Sequence, residues 1–138
     1  RLETFFKEKI AAIQDLLNNV EPYEHSRVEK IKARIYESLQ KLEGVTVDNN
    51  RFEQELIFYI EKLDITEEKI RLQNHLNYFL ATMADGDNQG KKLGFISQEM
   101  GREINTTGSK ANQAELQKLV VEMKDHLEQI KEQVLNVL

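Results

Sequence analysis

The sequence predicts an all-α protein, an elongated bundle of long antiparallel helices with a coiled-coil-like final helix. Three observations carry this. Leucine, isoleucine, valine and aromatic residues recur at spacings of three and four along nearly the whole chain, the period of one helix face. A single proline leaves few elements in need of a hard stop. The last segment sets Leu116, Val120, Met123, Leu127, Ile130, Val134 and Val137 at alternating steps of four and three. Heptads in such register ask for a long helical partner, either the N-terminal helices or another subunit.

The elements follow in order. Phe6, Ile10, Ile13, Leu17 and Val20 form the first stripe, which Asn18-Asn19 and Glu21-Pro22 interrupt. Pro22 fits the first turn of a new helix or a kink in a continuous one. Val28, Ile31, Ile35, Leu39 and Leu42 carry the next stripe, and Gly44 is its expected C-cap. Asp48-Asn49-Asn50 is a turn and N-cap signal, followed by a short helix with Phe52, Leu56, Tyr59, Ile60 and Leu63 inward. Asp64 and Thr66 are both candidate N-caps, with Glu67-Glu68 favourable against the dipole of the next helix. That helix uses Leu72, Leu76, Phe79 and Met83. The apolar-free stretch 85–90 reads as a loop. Leu93, Ile96, Met100 and Ile104 stripe the following helix, and Asn105-Thr106-Thr107-Gly108-Ser109 reads as its end, with Ser109 capping the last one.

Composition narrows the function classes. The 138 residues suit one helical domain spanning 1–138, and a charged, in-phase start at Arg1 suggests a portion of a longer protein. Without cysteine there are no disulfides, thiolate metal sites or cysteine nucleophiles. No apolar run is long enough to cross a membrane. A net charge of −5 argues against indiscriminate nucleic-acid binding over the whole surface. Only residues 91–110 are locally basic, with four cations against two carboxylates.

That basic stretch ends in the densest polar cluster, residues 98–110, which holds Gln98, Glu99, Arg102, Glu103, Asn105, Ser109 and Lys110. At about 100° per residue, Glu99 and Glu103 share one shoulder of their stripe, while Gln98, Arg102 and Asn105 face away from the core. On the preceding helix Glu68 and His75 lie on a shoulder, with Arg71 one turn from each. On the last helix Glu115 and Glu122 share a face. Carboxylates and an imidazole at the rim of a core can build an oxygen-rich divalent-metal site that activates water for phosphodiester cleavage. Arg71, Arg102 and Lys110 would then hold phosphates. The competing reading is a helix-surface ion-pair ladder of Glu68, Arg71 and His75. Glu122 and His126 form a lone i, i+4 pair, His25 reads as surface, and Gly108-Ser109-Lys110 lacks the glycine and strand of a phosphate-binding loop.

These residues resemble a known family. Gln98-Glu99-Met100, Arg102-Glu103, Asn105-Thr106 and Ser109-Lys110 are similar to the C-terminal signature of the bacterial YicC-like (YicC/YloC) proteins. Arg51, Gln54-Glu55, Asp64-Ile65, Glu67-Glu68, Arg71-Leu72 and His75-Leu76 form a second block, and Glu122-Met123-Lys124, Glu128, Glu132-Gln133-Val134 and Asn136 a third. Gly101, Thr107 and His126 depart from the pattern. The resemblance implies the helical C-terminal portion of a two-part cytoplasmic protein, a stress-induced-protein homologue that hydrolyses RNA as a metal-dependent endoribonuclease. It implies Mn2+ or Mg2+ as cofactor, with Glu68, His75, Glu99, Glu103 and Glu122 as metal ligands and Glu99 and Glu103 as catalytic residues. It further implies RNA contacts from Arg71, Arg102, Lys110, Gln98, Asn105 and Ser109, and a homo-oligomer, a hexamer, with neither membrane nor DNA as partner. The alternative is a non-catalytic helical oligomerisation module.

Overall fold

A computed structural model describes residues 2–41, 48–86, 89–111 and 113–137, apart from the side chains of His25 and Ser26. The described residues form helices and short connections with no strand: α1 (Leu2–Asn18), α2 (Val20–Gln40), α3 (Asn49–Leu63), α4 (Thr66–Ala84), α5 (Gly90–Lys110) and α6 (Ala114–Val134). The fold is all-α, as the apolar period requires. No helix among the described residues is long and apolar enough to cross a membrane.

Four helices make the core. α1, α4, α5 and α6 form a square in which α4 packs on α5, α5 on α6, α6 on α1 and α1 on α4. Neighbours run antiparallel. Leu2 of α1 lines the same pocket as Met83 near the end of α4 and Val137 just past α6. At the other end of α1, the Gln14 and Gln73 amides exchange hydrogen bonds of 2.7 and 2.6 Å. The predicted stripes of these helices fill the interior, from Phe6, Ile10 and Ile13 through Leu76 and Phe79 to Met100, Ile104 and the α6 heptads. Phe6 and Phe79 meet edge to face at 5.5 Å, a geometry that aromatic quadrupoles favour. The partner of the last helix is therefore inside the chain, on two sides.

The α5–α6 contact is closer than side chains alone would allow. Gly94, Gly101 and Gly108 recur every seven residues and face Val134, Leu127 and Val120, which also recur every seven. A methyl group at Gly108 would stand 3.0 Å from the Val120 Cγ1, at Gly101 3.3 Å from the Leu127 Cδ2, and at Gly94 3.6 Å from the Val134 Cγ1. Gly101, a departure from the expected pattern in sequence, is one rung of this seam.

α2 continues α1 with only a break at Asn19, whose N–H still reaches the Asp15 carbonyl at 3.2 Å. Pro22, without an N–H to give, sits in the first turn of α2, where none is needed. The α2 stripe is shallower than its period suggests. Ile31 is buried, but Val28, Ile35 and Leu39 are only half-buried, because α2 and α3 stand beside the bundle rather than in it. Tyr36 and Phe52 join them edge to face. Asp48 caps α3 as expected, its carboxylate accepting from the Asn50 and Arg51 N–H groups at 3.1 and 3.2 Å. The expected C-cap Gly44 lies outside the described residues.

α2 is tied to α4 by Lys69, which bonds Glu24 and, at 3.1 Å, Glu21. Burial alone would push the Lys69 ammonium down, but its bonds to the two carboxylates outweigh that and hold it above its ordinary 10.5.

Gly108→Ala will lower stability by about 1–3 kcal/mol through overpacking against the stiff Val120. Gly94→Ala will raise it by up to about 1 kcal/mol, the helix-propensity gain of alanine. Urea midpoints measure both, and equal effects at the two sites would refute the graded approach. The Lys69 link, with its raised pKa, contributes fully below pH 10.5 and is lost as pH rises through the raised value. Lys69→Met should therefore lower the urea midpoint below pH 10.5 and make it fall less steeply above that pH.

Candidate functional site

The polar cluster gathers where α4 begins and α5 ends. Asp64 turns the chain into α4, its Oδ1 accepting from the Thr66 N–H at 3.2 Å and the Thr66 hydroxyl at 2.7 Å. These bonds, chiefly that from the Thr66 hydroxyl, hold its carboxyl below the ordinary 3.8. The cap position itself belongs to the buried Ile65, so Thr66 is the first helical residue rather than the cap. One turn on, Glu68 is only 3% exposed. Its carboxylate accepts from the Lys110 ammonium at 3.1 and 3.4 Å and lies 3.5 Å from Arg71 Nη2. Arg71 Nε donates to Glu103 at 2.9 Å, and Nη1 to Glu67 at 3.1 Å. The Glu103 and Glu67 bonds push the guanidinium pKa further up. Lys110 spends its remaining reach on the Asp64 carbonyl, 3.0 Å away.

The antiparallel register explains this pairing, setting Glu68 against Lys110 and Arg71 against Glu103. His75 and Glu99 are half-buried. Glu99 is paired with Arg102 at 3.4 Å. Gln98, Arg102 and Asn105 are exposed on the outer face of α5, as the helical angles predict. Ser109 is also exposed, but α5 runs through Lys110 and the Ser109 hydroxyl donates back to the Asn105 carbonyl at 3.1 Å. It therefore does not cap α6, and residues 105–109 are helix rather than a helix end. Gln117 closes α5 instead, its amide donating to the Gly108 and Ala111 carbonyls.

The structure thus joins Glu68, Arg71, Glu103 and Lys110 into one network and leaves Glu122 exposed on α6. Among the described residues no three acidic or histidine side chains gather as metal ligands would, so the five expected ligands do not meet within one chain. Glu68 and Glu103 are already answered by cations about 3 Å away, and a divalent ion added there would face both. These two residues do not fit a metal in this arrangement. The ion-pair reading of Glu68 and Arg71 describes the geometry, with Glu67 and Glu103 in place of His75.

One buried cation was not singled out in the sequence. Arg27 of α2 is 4% exposed and donates to the Leu63 carbonyl at 2.6 Å and the Lys110 carbonyl at 3.2 Å. It closes the ends of α3 and α5 at once. Its position four residues before Ile31, in phase with the α2 stripe, is the signal that could have found it.

Lys110→Met tests the network. Glu68 would keep only the longer Arg71 contact, and the chain should lose about 3 kcal/mol in chemical denaturation. A loss under about 0.5 kcal/mol would show a pair worth no more than an exposed one.

Comparison with known proteins agrees with the cluster's sequence signature. Residues 20–138 match the family described as "Endoribonuclease YicC-like, C-terminal". The chain is 41% identical over 138 residues to a protein of Clostridioides difficile named "Probable endoribonuclease YicC", covering 94% of this chain and 46% of that protein. A Haemophilus influenzae protein of the same name is 38% identical over 101 residues, covering 72% of this chain and 35% of that protein. The chain spans less than half the length of these curated relatives. On the family match and the identity together, the chain belongs to the YicC-like endoribonuclease family and carries its C-terminal domain.

Proposed function

We propose that this helical domain is the RNA-positioning part of an endoribonuclease that hydrolyses phosphodiester bonds. The observation that carries the reading is the family match over residues 20–138, joined to relatives named as endoribonucleases. The geometry supports a division of labour along α5. Arg71 and Lys110 are engaged by carboxylates, so their first task is to lock α4 to α5, and any contact with RNA goes through their exposed edges. Arg102, Gln98 and Asn105, presented together on the outer face of α5, supply a cation and two amides for backbone and base edges. His75 and Glu99, each half-buried, are the groups offered for proton transfer, Glu99 through the carboxylate oxygen that Arg102 leaves unpaired.

The reading includes a Mn2+ or Mg2+ requirement for the whole protein. The donors it would use here are His75, Glu122 and Glu99, which exchanges its Arg102 pairing for the metal, completed from outside this domain, while Glu68 and Glu103 stay in their ion pairs. Assembly into a cytoplasmic homo-oligomer belongs to the same proposal. The α2–α3 pair supports it, since Ile57 and Phe58 on α3 are 54% and 65% exposed. That surface also favours the second reading, a helical assembly module without its own chemistry.

The test is cleavage of a labelled structured RNA by the full-length protein, with manganese and then with chelator. Glu99→Gln and His75→Ala should each reduce cleavage by about a hundredfold or more, with helicity and denaturation midpoint unchanged. Cleavage within a fewfold of wild type would remove those two residues from the chemistry. No cleavage by wild type with manganese would leave the assembly reading.

A further inference from the structure

Most of the buried charge in this domain is matched within it, and the exception lies on α2. Arg27, Lys30 and Arg34 stand three and four residues apart on one helix face. With Ile31 and Gln113 they line a pocket of about 290 Å³, and no carboxylate lines it among the described residues. Neither Lys30 nor Arg34 takes part in an ion pair among the described residues. This is a concentration of three positive charges on a chain whose net charge is −5.

Two residues of its lining each carry a buried side-chain atom without a partner, of opposite kind. Arg27 uses both terminal nitrogens on carbonyls, which leaves its Nε–H buried with no acceptor. The Oε1 atom of Gln113 is buried with no donor. Gln113 is the N-cap residue of α6 but makes no capping bond with its side chain, so the amide is free for another partner. Buried polar atoms without partners are uncommon and costly. An occupant that answers both must bring an accepting oxygen and an O–H donor, and the two exposed cations Lys30 and Arg34 favour a negative charge on the accepting part.

We propose that this pocket binds one phosphodiester of an RNA strand together with the neighbouring ribose 2′-hydroxyl. The phosphate accepts from Arg27 Nε and is held by Lys30 and Arg34. The 2′-hydroxyl donates to Gln113 Oε1, a contact that DNA cannot make. The proposal rests on the reading of this family member as an RNA enzyme. It places an RNA contact on α2 beside the end of α5, whose Lys110 carbonyl Arg27 already holds.

The experiment is fluorescence anisotropy with the full-length protein, in chelator, on labelled single-stranded RNA and on DNA of the same sequence. Lys30→Ala with Arg34→Ala should weaken RNA binding by about tenfold or more and flatten the slope of log affinity against log salt by about 1.4, two phosphate-bound cations' worth. Gln113→Leu should narrow the preference for RNA over DNA and leave DNA affinity unchanged. Lys32→Ala, a cation of α2 that lines the groove toward α3 instead, should change neither. If wild type binds RNA and the double variant matches it in affinity and slope, the pocket holds solvent only and the proposal fails while the RNA reading stands. An equal loss from Lys32→Ala would reduce the effect to unspecific charge and overturn the site. Failure of wild type to bind RNA at all would overturn the RNA reading and the pocket with it.

Discussion

The close approach of α5 to α6 is the constraint on which the rest of the domain depends. Glycines at seven-residue intervals let Val120 and Leu127 sit against the α5 backbone, and this fixes the rotation of α5 about its own axis. Once that face is committed, the remaining faces have no freedom. The apolar stripe from Leu93 to Ile104 must point to the core, Glu103 must meet α4, and Gln98, Arg102 and Asn105 must face solvent. A helix with side chains in place of these glycines would stand further off and turn differently. The chemistry offered to solvent is thus set by residues that carry no side chain.

Charge is organised on the same plan. Glu68 is almost fully buried and tolerable there only because Lys110 and Arg71 reach it. Glu103 is held in the same way, and Arg27 gives its guanidinium to two carbonyls at helix ends. The variety of polar residues between 98 and 110 therefore has two origins. One set closes the junction of α3, α4 and α5 against itself. The other, on the outer face of α5, faces solvent, with Arg102 reaching only Glu99 of its own helix.

Periodicity alone made the core legible. The stripes of α1, α4, α5 and α6 read from sequence are those buried in the structure, because a three-and-four spacing has one inward solution in a bundle. The pairing between helices was less accessible. That the sixth helix lies between α1 and α5 depends on which apolar faces complement one another, and no single stripe records that. The pattern of glycines was visible but carried no meaning until Val120, Leu127 and Val134 were placed opposite. The carboxylates were harder still. Angular position put Glu68 and Glu103 at the rim, correctly, yet whether a rim carboxylate meets a metal or a lysine is decided by the neighbouring helix. Ser109 was misplaced because a serine after glycine reads as a cap, whereas here its hydroxyl returns to the Asn105 carbonyl and the helix continues.

The arrangement of α2 and α3 beside the bundle has a further consequence for the chain as a polymer. Phe6 and Phe79 touch across everything that lies between α1 and α4, so the two helices form the closed ends of one long loop. The entropy of closing such a loop grows only with the logarithm of its length, about 0.6 kcal/mol for each doubling. The inner part of that loop is pinned by Arg27, Glu24 and Ile31. Beyond Ile31 the path out along α2 and back along α3 contributes nothing to the main core. Its length is therefore nearly invisible to the stability of the four-helix square, and insertions or deletions there are the ones that the bundle can absorb.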